Sequence, residues 1–130
     1  MIQVRQKFQI VIVDDHPIFC LGMSELINRE PDLTVVACPN TAAKARQIIE
    51  QDMPDLMIVD ISLAESNGID LVAELRGKYP ELPILVLSMY DDSMYAERAL
   101  MAGARGYVMK RRAIAQVVAA VRQVLSGHIY

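Results

Sequence analysis

The sequence predicts a doubly wound α/β domain, in which helices cover both faces of a five-stranded parallel sheet. Short apolar runs rich in β-branched residues recur along the chain and are typical of buried strands. Segments with apolar residues three and four positions apart lie between these runs and indicate helices. Strict alternation of the two within 130 residues favours one parallel sheet covered by helices.

The element boundaries are marked by the apolar runs and by helix-capping signals. Pro17 suits the first turn of the first helix, Thr41 is a candidate N-cap of the second, and Gly103 suits the end of the fourth. The five predicted strands comprise residues 10–13, 33–37, 56–59, 84–87 and 106–108. The expected apolar helix faces are Ile18, Leu21, Gly22 and Leu26; Ala45, Ile48 and Ile49; Leu71, Val72 and Leu75; and, in a fifth helix over 113–126, Ile114, Val117, Val118, Val121 and Leu125.

Composition narrows the classes of function. A hydrophobic content of 53% argues against disorder, and the length suits one domain over residues 1–130. The net charge of -3 lacks the basic excess that contact with nucleic acid requires, so any DNA contact must come from another segment. No apolar stretch approaches the ~18 residues of a membrane span, which predicts a cytoplasmic protein without membrane contact.

The two cysteines, Cys20 and Cys38, show no metal-ligand or disulfide pattern. They are far apart in sequence, form no CxxC motif and have no histidine cluster nearby. We therefore expect small buried thiols in a reducing cytosol.

Polar and charged residues follow four of the predicted strands. Asp14 and Asp15 follow the first, Asp60 the third, Ser88 the fourth and Lys110 the fifth. In an open parallel sheet these ends meet at one edge, where ligands bind. Crowded carboxylates repel one another, so such a site either takes up a proton or recruits a cation. Carboxylate oxygens without a His or Cys ligand set favour Mg2+, and a lysine beside them suits phosphoryl chemistry on a carboxylate.

In this pattern the chain resembles the receiver domains of two-component response regulators, from residue 10 to residue 127. The resemblance implies a flavodoxin-like (βα)5 fold with strand order 2-1-3-4-5. The Asp-Asp-His-Pro segment at residues 14–17 and the Gly-Ala-x-Gly-Tyr segment at residues 103–107 resemble those of the NarL/FixJ subfamily. Members of this subfamily carry a LuxR-type helix-turn-helix output domain. The matching motifs are Val13-Asp14-Asp15-His16-Pro17, Asp60 with Gly68, Leu87-Ser88, Gly103-Ala104-Arg105-Gly106-Tyr107 and Lys110.

The resemblance also implies a phosphoacceptor and a metal site. Asp60 would accept a phosphoryl group from the phosphohistidine of a sensor histidine kinase. Asp15, Asp60 and the backbone carbonyl of Ser62 would ligate Mg2+ directly, and Asp14 through water. One departure is Ala64, where the family most often has proline, so we expect the loop after Asp60 to be less rigid.

The remaining implied roles concern the readout of phosphorylation. Lys110 would pair with the phosphoryl group, Ser88 would hydrogen-bond to it, and Tyr107 would change rotamer.

The resemblance also implies that the domain is no turnover enzyme and catalyses only its own phosphorylation and slow self-dephosphorylation. A DNA-binding output domain beyond Tyr130 is expected. Homodimers would form through the first and fifth helices, or through the fourth helix, fifth strand and fifth helix.

Several alternatives remain beside this interpretation. A dinucleotide-binding enzyme is disfavoured, because Asp14 and Asp15 stand where glycines would admit a pyrophosphate. A haloacid-dehalogenase-type phosphohydrolase would need a second carboxylate two residues after Asp60, where the chain has Ser62. An interaction module that needs no phosphorylation stays open. Asp14 and Asp15 as helix caps, and Lys110 as a solvated lysine, are the purely structural interpretations.

Overall fold

Five parallel strands form one sheet in the computed structural model, which describes residues 7–63, 68–89 and 93–130. The strand order is β2-β1-β3-β4-β5, so the predicted (βα)5 fold and its strand order are confirmed. Ala64 lies outside the described residues. The strands are β1 Phe8–Val13, β2 Leu33–Ala37, β3 Leu56–Asp60, β4 Ile84–Ser88 and β5 Gly106–Met109.

The helices alternate with the strands along the chain. A short 3-10 turn, Lys110–Arg112, precedes the last of them. Within the described ranges, none of the helices combines the length and hydropathy needed to cross a bilayer. The helices are α1 Pro17–Asn28, α2 Ala42–Gln51, α3 Gly68–Lys78, α4 Ser93–Ala102 and α5 Ala113–Leu125.

The predicted helix boundaries are confirmed at three points. Pro17 is the first residue of α1, where its missing N–H costs no helical hydrogen bond. The Thr41 hydroxyl accepts a hydrogen bond from the Lys44 N–H at 3.1 Å and so caps α2. Gly103 ends α4 with φ of 117°, a left-handed conformation that a side chain would strain.

The sheet separates two apolar cores. Alternate strand residues point to opposite faces, so Val11 and Val13 pack with α2, α3 and α4, whereas Ile10 and Ile12 pack with α1 and α5. All four side chains are fully buried. Burial of each aliphatic side chain stabilises the folded state by about 1.5–3 kcal/mol, so these two apolar layers hold the strand ends in fixed register.

The buried face of α1 differs from the predicted one. The helix buries Cys20, Met23 and Ile27, whereas Ile18 and Leu21 are 85% and 61% exposed. Apolar residues occur around most of this helix, so their spacing does not determine which side meets the sheet. In α5 the predicted Val117 and Val121 are buried, but Ile114 is 54% exposed, and the buried face includes Ala113, Ala120 and Val124.

Candidate functional site

The strand register brings the predicted site residues to one edge of the sheet. β1 and β3 are neighbours, so Asp14, which follows β1, lies beside Asp60 at the end of β3. Ser88 ends β4 and pairs with Met109, the residue before Lys110. Asp60 and Ser88 are the last residues of their strands rather than the first residues after them. The sheet therefore assembles residues that are up to 96 positions apart in sequence.

Lys110 is the buried cation of this edge. Its Nζ lies 2.9 Å from Asp14 Oδ2 and 3.1 Å from Asp60 Oδ2, and 4.5 Å from the centre of the Phe19 ring. The side chain is only 9% exposed, and those of both aspartates are fully buried. The alternative of an ordinary solvated lysine is therefore wrong, because the ammonium is desolvated and ion-paired.

The orientation of Asp60 is fixed by the backbone that follows it. The Ser62 N–H donates a hydrogen bond to Asp60 Oδ1 at 2.8 Å, while Oδ2 faces Lys110. Gly68 packs directly against this turn, since a Cβ there would lie 2.6 Å from the Asp60 carbonyl oxygen. A glycine is thus required for steric reasons eight residues after Asp60. The metal-ligand role of the Ser62 carbonyl stays a prediction.

His16 belongs to the site, a role that its sequence position beside two aspartates at the start of a helix left open. It is the N-cap residue of α1, but its side chain makes no capping hydrogen bond. Its Nδ1 instead lies 2.8 Å from Asp14 Oδ1, 3.1 Å from Asp15 Oδ1 and 2.8 Å from Lys110 Nζ. A protonated Nδ1 donates to Asp14, and an unprotonated one accepts from Lys110. Adjacency to two aspartates was the signal in the sequence.

The acidic residues form a cluster that suits a divalent cation. One oxygen each from Asp14, Asp15 and Asp60, together with His16 Nδ1, lie within 4.8 Å of one another. Three carboxylates carry more negative charge than the single positive charge of Lys110 can neutralise. The Asp15 side chain is 22% exposed, so ions in solution can reach it. Hard carboxylate oxygens in small number, with solvent access, are the donor set that Mg2+ prefers.

A family model described as the response regulator receiver domain matches residues 10–122. The chain belongs to this family. The resemblance inferred from the strand-end residues is thereby confirmed. Regulators of this type are signalling proteins that are phosphorylated on an aspartate and control transcription through output domains. Receiver domains bind Mg2+ at an aspartate cluster, and the described residues of this receiver domain contain such a cluster.

Curated relatives extend well beyond the matched region. The receiver domain is 36% identical over 126 residues to the transcriptional regulatory protein DegU of Brevibacillus brevis, covering 97% of this chain and 53% of that protein. It is 36% identical over 123 residues to the oxygen regulatory protein NreC of Staphylococcus haemolyticus, covering 94% of this chain and 57% of that protein. The chain spans about half the length of these relatives.

Solved structures of response regulators superpose closely on this receiver domain. A LuxR-family two-component response regulator from an Aurantimonas species superposes with a TM-score of 0.89 at 34% identity, covering 95% of this chain and 89% of that one. The signal receiver domain of the putative response regulator NarL from Mycobacterium tuberculosis gives 0.87 at 26% identity, covering 95% and 99%.

The two predicted switch residues of the receiver domain occupy different environments. Ser88 is fully buried at the end of β4, at the same edge as Lys110. Tyr107 is partly buried in β5 and packs against the core on the side of α2, α3 and α4. Their roles in reading a phosphoryl group stay predictions.

Proposed function

We propose that this receiver domain accepts a phosphoryl group on the Asp60 carboxylate from the phosphohistidine of a sensor histidine kinase. In this transfer an Asp60 oxygen forms the new bond to phosphorus, the bond from phosphorus to the histidine nitrogen breaks, and the leaving imidazole retains the electron pair. The observation that supports the proposal is the pairing of buried Asp60 with buried Lys110 at 3.1 Å, beside two further carboxylates. The Lys110 ammonium can pair with the oxygens of an incoming phosphoryl group.

The proposal includes a Mg2+ site formed by Asp15, Asp60 and the Ser62 carbonyl, with Asp14 acting through water. Bound Mg2+ would neutralise charge on the transferring phosphoryl oxygens. The three carboxylates supply hard oxygen donors, and the solvent-exposed part of Asp15 supplies an entry path. His16 Nδ1 contacts Asp15 and lies 3.6 Å from Asp60, so we expect the imidazole to shift when these oxygens bind metal.

We further propose that Ser88 and Lys110 read the phosphoryl group and that Tyr107 responds. A hydroxyl and an ammonium offer donors to phosphoryl oxygens, and both side chains lie at the ends of adjacent strands. Phosphorylation would then favour one of two existing states through these contacts. The packing of Tyr107 against the core on the α4 side makes its rotamer sensitive to movement there.

The test is intact-mass analysis after incubation with acetyl phosphate, with and without MgCl2. One added phosphoryl group in the Asp60 peptide, dependent on Mg2+, is expected. Asp60→Asn should remain unlabelled, whereas Asp70→Asn, an exposed carboxylate on α3, should label like the wild type. Labelling of Asp60→Asn at the wild-type level would overturn the assignment. Multiple turnover of phosphomonoesters would support a phosphohydrolase instead.

An output domain that binds DNA is part of the proposal for the full-length protein. The curated relatives are regulators about twice the length of this chain, and the resemblance implies a LuxR-type helix-turn-helix. The receiver domain has a net charge of -3 and so lacks the basic excess that contacts with phosphates require. We expect weak or no DNA binding by residues 1–130 alone, measured by gel shift at physiological salt.

For dimer contacts we propose the surface of α1 and α5. Ile18, Leu21 and Ile114 are exposed on these neighbouring helices, and a Cβ at Gly22 would lie 3.9 Å from Ile114. Ala120 of α5 does not contribute to this surface, since that residue is fully buried in the core. The α4 side remains the alternative, with Met94 and Met101 exposed.

The dimer proposal is tested by sedimentation with and without a phosphate mimic. Ile114→Glu should abolish phosphorylation-dependent association through α1 and α5. Met101→Glu is the matched control on α4 and should leave it intact. The reverse pattern would assign the interface to the α4 side.

A further inference from the structure

The two cysteines of the chain meet beside the acidic cluster. Cys20 lies on α1, Cys38 directly follows β2, and both side chains line the same pocket. The expectation of two separate buried thiols is wrong for Cys38, which is exposed. The parallel pairing of β1 with β2 brings these two elements together, because α1 returns the chain from one strand to the other.

The two thiols have unequal environments. Cys20 is 6% exposed, and its thiol donates a hydrogen bond to the Asp14 carbonyl oxygen at 3.7 Å. Cys38 is exposed and also contacts the Ser24 hydroxyl at 3.3 Å. The neighbouring Cys20 thiol and the Ser24 hydroxyl stabilise the Cys38 thiolate and lower the pKa of Cys38 to about 6, whereas the neighbouring Cys38 and burial raise the pKa of Cys20.

Solvent reaches this pair through a pocket. Both cysteines line a cavity of about 510 Å³ that they share with Ser24, Asp14 and Asp15. A small oxidant can therefore reach an exposed sulfur that has a second thiol in the lining of the same pocket. An exposed thiolate with an adjacent resolving thiol is the arrangement that reacts reversibly with oxidants.

We propose that Cys20 and Cys38 are a redox-active dithiol, which hydrogen peroxide oxidises to a disulfide joining α1 to the end of β2. The Cys38 sulfur attacks one peroxide oxygen, the O–O bond breaks, and a sulfenic acid and one water form. The Cys20 sulfur then attacks the Cys38 sulfur, and the hydroxyl leaves as a second water with the Cys20 thiol proton. Two thiols lose two electrons, which reduce one peroxide to two waters.

The disulfide would lie against the main chain of Asp14. The Asp14 carbonyl faces Cys20 Sγ, and the Asp14 N–H donates a hydrogen bond at 3.1 Å to the carbonyl of Pro39, the residue after Cys38. The proposal does not depend on phosphorylation of Asp60, because the reacting atoms belong to the two cysteines alone. Oxidation should therefore proceed without acetyl phosphate and without Mg2+.

The experiment treats the reduced protein, at low micromolar concentration, with a small excess of hydrogen peroxide, followed by alkylation and intact-mass analysis. Because the chain has two cysteines, the expected product is unambiguous: a monomer that has lost two hydrogen atoms, takes up no alkylating agent and regains both thiols with dithiothreitol. Peptide mapping should recover the Cys20 and Cys38 peptides as one cross-linked species.

Single variants separate the two roles. Cys38→Ser should react at least about tenfold more slowly, because the buried Cys20 thiol is shielded and protonated. Cys20→Ser should accumulate a sulfenic acid on Cys38 that dimedone traps. In the wild type, a sulfenic acid or an intermolecular dimer without the cross-linked peptide would overturn the proposal, and this result needs no variant to fold.

Discussion

Replacing Lys110 by methionine is expected to destabilise the metal-free domain strongly while tightening its binding of divalent cations. The ammonium lies 2.9 Å from Asp14 and 3.1 Å from Asp60, whose side chains are fully buried. Methionine keeps an unbranched apolar chain of similar length beside Phe19 but removes the charge. Two buried carboxylates would then face each other without this counter-ion.

The size of the loss follows from these distances. At an effective dielectric constant of about 20, charges about 3 Å apart attract by about 5.5 kcal/mol, so the two contacts supply about 11 kcal/mol before desolvation. Burying an ammonium costs several kcal/mol, which offsets much of this attraction. Removing one partner of a buried pair typically costs about 3–5 kcal/mol, and we expect that loss here. A domain with about 10 kcal/mol of stability, the middle of the usual range, would remain folded.

The assay is equilibrium urea unfolding with and without MgCl2. Lys78→Met, at the exposed end of α3, is the matched control and should change the free energy of unfolding by less than about 0.5 kcal/mol. Added Mg2+ should restore part of the stability of Lys110→Met, because the ion replaces the missing positive charge. A loss below about 1 kcal/mol without metal, or weaker Mg2+ binding than in the wild type, would refute the reasoning.

Three further predictions concern the metal, the switch and the thiols. Asp15→Asn should weaken Mg2+ binding in a titration yet stabilise the metal-free domain, because it removes one of three clustered carboxylates; unchanged affinity would contradict this. Ser88→Ala should still be phosphorylated, but its NMR shifts around Tyr107 should differ from those of the phosphorylated wild type, and identical shifts would reject the switch role. Alkylation of Cys38 should slow as pH falls through about 6 and level off above about pH 7, because the thiolate is the nucleophile and the pKa is lowered from 9.0 to about 6. At pH 7 Cys38 has a larger thiolate fraction than an ordinary thiol, but its thiolate is intrinsically a weaker nucleophile. Together these two effects should make the alkylation of Cys38 about fourfold faster than that of an ordinary thiol. An alkylation rate that still rises steeply between pH 7 and 9 would contradict the lowered pKa.

Local patterns in the sequence were sufficient to predict the fold class, whereas the strand order was implied by the family resemblance. Buried strands covered on both faces appear as continuous apolar runs, and Pro17, Thr41 and Gly103 mark helix boundaries through their own backbone chemistry. Convergence of Asp14 and Asp60 follows from strand direction alone, because the carboxyl ends of parallel strands share one edge. Gly68 was named only through the family resemblance, and the structure supplies the reason, since the close approach to Asp60 excludes any side chain.

Tertiary structure alone decided which side chains meet. The apolar residues of α1 surround most of the helix, so only packing on the sheet buries Met23 and leaves Leu21 exposed. Three features likewise depend on strand order and on helix rotation: the burial of Lys110, the turn of His16 into the acidic cluster, and the shared pocket of Cys20 and Cys38. Periodicity specifies the type of each element, but contacts between distant residues depend on how the elements pack, which no local pattern encodes.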